Sequence, residues 1–481
     1  MSLDIESLTS YSTEGVGFFR FKKFDTESYL ITNDFWRYHF LSNSDFELFI
    51  TWRYQEINEQ KDLRAKGFIL TEDYQEKMIW SMAMKNHFIG KWPTLHMIVT
   101  TLRCNHHCKY CHAAVAPMSA KEFDMTEETA RKVVDAIFYT NNDSLTIEFQ
   151  WGESLVNYPI VQFIVEYAWI KAQHLKKQLT FSMVTNLTLM TDDKLEWLME
   201  RGVDICTSLD GDEWNHNNNR TGYDGNSFEK VSYWIQKINK KREEKGLGKM
   251  GVLLTVTKEN IANYKEIIDT YIQLGINGIF LRWLNPYGFA AADIKNLAYT
   301  SEEWIDFYRK SLDYIIELNQ KWIYFQEYIT KVFLQKIFQP YDPAFMDIRS
   351  PSGIAVGGVA YNYDWKIYAS DESRMLGRMG IDDFLMTDMQ EDGEKTYRAM
   401  MTSEIVKIAV QSSCLDGLPG YNQHVYKPYL WVDIIHNFKV SWNVFFPMMR
   451  DEKVKMQIGI LDTIFQKIRN PEVKEIFKKW L

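Results

Sequence analysis

The sequence has no run of roughly 18 consecutive apolar residues, the length at which a helix can cross a bilayer. No transmembrane helix is therefore expected. The start of the chain lacks a basic stretch followed by an apolar one, so no secretory signal is read there. Cysteine is scarce: five in 481 residues, at 104, 108, 111, 206 and 414. Three of them fall in one loop, which is no disulfide framework and points to a reducing, cytoplasmic setting. An excess of positive charge is missing too. Lys and Arg number 55 against 64 Asp and Glu, a formal net charge of −9, whereas nucleic acid calls for a basic face. The short cluster Lys240-Lys241-Arg242 reads as a solvated helix end. Neither nucleic acid nor membrane is expected as a partner. Repeats and low-complexity linkers are absent as well.

What is present is apolar: 46% of the chain, with 15% aromatic, over a length that suits two or three domains. Residues 1–92 read as a small α+β unit, with strand composition at 17–21 and 28–32. Helices are expected at 45–55, 58–66 and 71–85, and Ser44 with Glu47 has capping-box spacing. From Thr94 the chain alternates. Strands are predicted at 95–102, 145–149, 179–184, 202–209, 250–257 and 278–283. Helices are predicted between them at 127–139, 160–173, 192–200, 227–245 and 259–274. Six such units imply a parallel sheet with helices outside it, curling into a full or partial (β/α) barrel over residues 93–290. Chemistry on such barrels sits at the C-terminal ends of the strands. Residues 291–481 read as a mainly helical extension. Helices are expected at 301–320, 322–338, 403–410 and 452–481, and a hairpin at 361–370.

The loop after the first predicted strand carries Cys104, Cys108 and Cys111 in the spacing C-x3-C-x2-C, with Tyr110 before the last. Three close thiolates can hold three irons of a [4Fe–4S] cubane, and the fourth Cys of an electron-transfer cluster is missing nearby. A Cys3His zinc site using His107 or His112 draws on the same residues, and the motif alone leaves it open. Three further strand ends carry polar residues: Gly152-Glu153 after the second, Thr185-Asn186 after the third, and Ser208-Leu209-Asp210-Gly211 after the fourth, followed by His216 and Arg220. Arg282 ends the sixth strand. Its guanidinium could bind a carboxylate or balance Glu148 or Asp210. Cys206 reads as a buried packing thiol.

The cysteine motif with these strand ends resembles the radical SAM superfamily. Longer stretches are similar to the maturases of His-Xaa-Ser peptide systems, of the B type. They include Val16-Gly17-Phe18-Phe19-Arg20-Phe21, Thr101-Leu102-Arg103-Cys104-Asn105-His106, Pro286-Tyr287-Gly288-Phe289 and Tyr368-Ala369-Ser370-Asp371-Glu372. The resemblance implies an open partial (β/α)6 barrel. It implies one [4Fe–4S] cluster on Cys104, Cys108 and Cys111, whose open iron chelates S-adenosylmethionine, and cleavage of the sulfonium to a 5′-deoxyadenosyl radical. It implies cofactor contacts from Tyr110, Gly152, Glu153, Asn186, Ser208 and Arg220, and assigns substrate contact or proton handling to Asp210 and Arg282. The substrate implied is a ribosomally made precursor peptide, with a second radical SAM maturase and an electron donor as further partners; residues 1–92 resemble the small domains that grip a precursor's leader, or are a cap that covers the barrel. The chain departs from the pattern at Trp151 and Ser154, where relatives have Gly and Pro. It departs again in the tail, where Tyr421, His424 and Leu430 stand in place of cysteines and Cys414 is alone. No auxiliary cluster is expected. A formylglycine-forming maturase and a non-catalytic precursor-binding paralogue are the alternative readings.

Overall fold

A computed structural model of the chain describes residues 15–90 and 93–481. Near the N-terminus, β1 (Arg20–Lys23), β2 (Ser28–Thr32) and β3 (Tyr38–Ser42) form an antiparallel meander. β3 is absent from the sequence reading, because Asn33-Asp34 looks like the end of ordered structure. It is instead a turn, in which the Asn33 side-chain carbonyl accepts the N–H groups of Phe35 and Arg37. The next helix, Asn43–Ile50, is capped within the expected cap region 42–44 by the Ser42 hydroxyl, which accepts from the Asp45 amide; Ser44, with its capping-box spacing to Glu47, lies inside the helix. Helices Gln60–Ala65 and Tyr74–Lys85 follow, and Phe46, Phe49, Leu63 and Phe68 make a core separate from the main one. This unit is fastened to the far end of the chain. The Thr32 hydroxyl donates to the Val425 carbonyl at 2.5 Å, and the buried Lys85 ammonium donates to the Gln339 carbonyl at 2.6 Å.

The six predicted barrel strands all form: β4 (Leu95–Ile98), then, past the two-residue β5 (His107–Cys108), β6 (Ser144–Phe149), β7 (Gln178–Val184) and β8 (Val203–Ser208), and, past β9 (Arg220–Thr221), β10 (Gly251–Thr255) and β11 (Gly278–Arg282). They pair in parallel, in sequence order. Alternation along each strand sorts the side chains. In β6, Leu145, Ile147 and Phe149 are buried under the outer helices, while Thr146 and Glu148 point to the lumen, as does Gln150 just beyond the strand.

The sheet is wider than the six units. β12 (Gln326–Glu327) adds in parallel beside β11, and β13 (Gly358–Tyr361) adds in parallel beside β4. β14 (Lys366–Tyr368) and β15 (Leu385–Asp388) then continue antiparallel, giving ten strands among the described residues. β12 interrupts what reads as one helix over 322–338. Trp322 takes a left-handed φ of 65°, and the helix Tyr328–Phe338 starts only after Glu327, whose carboxylate caps it. The expected hairpin at 361–370 is β13 and β14, turning at Trp365 (φ 74°). The tail is two helices, Glu452–Lys467 and Pro471–Lys478. Proline at the first helical position starts the second rather than continuing the first. Overall the architecture is the expected α/β partial barrel with helical segments around it.

Candidate active site

The cysteine loop leaves the top of β4 and is held on several sides. β5 pairs with β9, setting Cys108 opposite Arg220. The Phe289 amide donates to the Cys111 carbonyl at 2.8 Å, and the Asn285 amide to the His112 ring at 3.2 Å. Gly288, at φ +54°, lets these segments touch: a methyl group there would lie 2.4 Å from the His112 carbonyl oxygen. From the other side, Arg374 and Arg378 of the helix Asp371–Arg378 donate to the carbonyls of Ala113 and Ala114. Burial pushes all three thiols up, and Cys104 is raised further by Glu153 and by its neighbours Cys108 and Cys111. Cys111 is offset by the backbone N–H groups of Val115, Ala113 and Ala114. Ala114, at φ 49°, turns that stretch into a nest that favours negative sulfur. Cys104 accepts from the His106 amide at 3.4 Å and from the Asn186 amide group at 3.8 Å.

Beside this loop stands the turn after β6. Gly152 has φ +62°, and a methyl group there would lie 2.2 Å from the Thr101 carbonyl oxygen, so only glycine fits. Trp151 also has positive φ (71°). It packs against Val99, Leu102 and Ala116, with the Arg374 guanidinium 5.8 Å from its ring. Glu153 is 1% exposed and its carboxylate serves its own strand ends. It accepts from the Thr185 hydroxyl (2.7 Å), the Leu155 amide (3.1 Å) and the Asn186 amide (2.7 Å). Asn186 in turn donates to the Asn105 side chain at 2.9 Å, tying β7 to the cysteine loop. The Ser208 hydroxyl makes no hydrogen bond to the described residues.

Asp210, Arg220 and Tyr110 form one buried cluster. The Tyr110 hydroxyl donates to Asp210 at 2.5 Å, and Arg220 donates to Asp210 at 3.0 Å and to the Tyr110 oxygen at 2.5 Å. Burial raises the Asp210 carboxyl, partly offset by Arg220. His216, on a helix missed by the sequence reading (Glu213–Asn219), shares the Ser227 hydroxyl with His106 and faces the Asp210 amide.

The lumen itself is a cavity of about 630 Å³, within the range of small-molecule sites. Arg282 lines it as expected, together with Glu148 and Gln150. Asp210 is not among its lining residues, and neither are the cluster cysteines. Cys206 corrects the packing reading: its thiol faces this cavity. The sequence reading missed the carboxylates that the C-terminal segment adds: Asp347, Asp371, Glu372 and Asp433. Glu148 and Gln150 carried a signal, polar residues at every second place of an otherwise apolar strand. The others carried none, since only tertiary packing brings them to the lumen.

Residues 98–271 match the sequence model of the radical SAM superfamily. The chain carries a radical SAM domain. Two relatives match part of it: an uncharacterized protein of Methanocaldococcus jannaschii, 26% identical over 198 residues, and the radical SAM cyclopropyl synthase TigE of Paramaledivibacter caminithermalis, 26% identical over 217. The matched regions cover 40% and 41% of this chain, and 63% and 43% of those proteins, less than two thirds of either. Among solved structures, native anSMEcpe with bound AdoMet superposes with a TM-score of 0.62 at 14% identity, over 80% of this chain and 99% of that one. Streptococcus suis SuiB bound to the precursor peptide SuiA gives 0.50 at 12% identity, over 90% and 98%.

Radical SAM proteins use a [4Fe–4S] cluster and S-adenosylmethionine. The cysteine loop fits such a cluster: three half-buried thiols in one loop, with amide donors aimed at the sulfurs of Cys104 and Cys111, as thiolate ligands require. It does not fit zinc. Among the described residues no three His, Cys, Asp or Glu side chains stand close enough to share one ion, whereas cubane thiolates bind three different irons. His112 already accepts an amide proton, and the His107 ring packs on Phe289 at 4.6 Å. Among the described helices, none is long and apolar enough to cross a membrane.

Proposed function

We propose that this radical SAM protein is a maturase that modifies a ribosomally made precursor peptide, beginning with removal of a hydrogen atom from the substrate. The observation that carries the reading is a three-cysteine loop following β4 of a sheet whose lumen is large enough for a side chain and lined with charged groups. That SuiB and anSMEcpe were crystallised with peptides supports a peptide as substrate class. When bound, the cluster and S-adenosylmethionine supply a reducing electron and a carbon radical able to abstract hydrogen. Cys104, Cys108 and Cys111 would hold the cluster. Gly152, Asn186 and Ser208 would meet the cofactor. Asp210, through Arg220 and Tyr110, positions the segment opposite Cys108 rather than touching substrate. Arg282 and the lumen carboxylates are left to meet the substrate and accept a proton. The meander β1–β3 with its helices is proposed to grip the precursor, and a second maturase and an electron donor are the proposed partners.

The test is anaerobic purification with reconstitution. About four irons per chain and release of 5′-deoxyadenosine with a reductant are expected. The triple variant Cys104→Ala, Cys108→Ala, Cys111→Ala should lose both. Retention of deoxyadenosine formation by that variant sinks the proposal.

A further inference from the structure

The charges on the lumen wall do not balance. Lys453 is committed to Asp433 at 2.5 Å, while Arg349 is shared between Asp342 and Asp347. Arg282 and Arg349 then face Glu148, Asp347, Asp371 and Glu372 across the wall, two cations to four carboxylates, with Arg374 beside Asp371 from behind. Asp371 and Glu372 lie side by side on that wall, and burial followed by the neighbouring Glu372 holds the Asp371 carboxyl well above the usual range. Asp347 projects into open cavity space and makes no hydrogen bond or ion pair to the described residues. Gln150 adds an independent sign of a missing guest: it is 9% exposed, it lines the same cavity, and its side-chain amide has no hydrogen-bond partner among the described residues. An acidic surplus on a partly closed wall is costly unless a cation enters to share it.

We infer that the lumen selects a substrate side chain bearing a basic group, an amine, guanidinium or imidazole, seated against Asp347 and the Asp371–Glu372 pair, with the Gln150 amide hydrogen-bonding the adjoining peptide group. Desolvation in the cavity, reinforced by Glu372 and offset by Arg282 and Arg349, holds the Asp347 carboxyl above the usual range, and a cation seated beside it would bring it back down. The inference rests on the peptide reading above and narrows it.

The test uses the full chain, reconstituted with cluster and S-adenosylmethionine, and capped pentapeptides that differ only in a central lysine, norleucine or glutamate. By calorimetry the lysine peptide should bind about tenfold more tightly than the norleucine peptide, with glutamate weakest. Asp347→Lys should reverse the order of lysine and glutamate. Should that variant not fold, the wild-type series still decides. Equal or tighter binding of norleucine overturns the inference, as does absence of binding by all three at millimolar concentration. If the carboxylates serve the cationic cofactor instead, Glu372→Gln will weaken S-adenosylmethionine binding without peptide while the three peptides bind alike, which also overturns it. Deoxyadenosine release in the same samples separates this failure from failure of the radical SAM reading.

Discussion

Two glycines carry the cysteine loop. At Gly152 a side chain would have to adopt a left-handed φ and displace the Thr101 carbonyl; at Gly288 it would displace those of Cys111 and His112. Gly152→Ala and Gly288→Ala are each expected to cost roughly 2–5 kcal/mol and to lower bound iron, measured by urea denaturation and iron assay. A variant with unchanged iron would show that the loop tolerates the shift. The Asp210 cluster is a different residue-scale case. Asp210→Asn leaves Arg220 buried beside half of its partner, at a cost of about 3 kcal/mol. Arg220→Met added to it should cost less than the two singles summed, since the orphaned charge is then gone. Strict additivity of the melting shifts would show that the pair is uncoupled.

At the scale of elements, acid sensitivity follows from three histidines away from the cysteine loop: His96 on β4, His424 in the C-terminal segment and His436 on the helix Ile434–Ser441. Burial, named first for each, holds them at about 3, about 4 and about 3, against 6.5 unfolded. Below 6.5 the unfolded chain binds more protons than the folded one, so stability is complete above that value and falls as pH drops through it. Each should cost at most about 2 kcal/mol between about pH 6.5 and about pH 5. Denaturation midpoints should fall across that window, and a flat profile would show that these rings are solvated. Element boundaries also show what the sequence could tell. The six barrel strands were legible because β-branched runs alternate with amphipathic helices. β3, β12 and the break at Trp322 were not, because each depends on a backbone turn that propensity does not mark.

At the scale of the whole molecule, the C-terminal segment is more than a cover. It extends the sheet past β4 through β13 to β15, grips the cysteine loop through Arg374 and Arg378, and supplies most of the lumen carboxylates. Its scarcity of cysteine is compatible with this role. Tyr421 and Leu430, where the family resemblance would put cysteine, are buried in the main core. The N-terminal meander is tied to the same segment, so the chain closes on itself across more than 390 residues between Thr32 and Val425.

The sequence by itself determined the alternation that builds the barrel, the loop with three thiols, and the glycines that let backbone approach it. Those are local properties, set by side-chain period, spacing and φ. Tertiary structure alone decided which charges meet. It sent Asp210 to Arg220 and away from the lumen, turned Cys206 to the cavity, and set Asp347, Asp371 and Glu372 across from Glu148. Electrostatic partnership depends on distance through space in a medium of low polarity, and residues 200 positions apart carry no mark of it in their order along the chain.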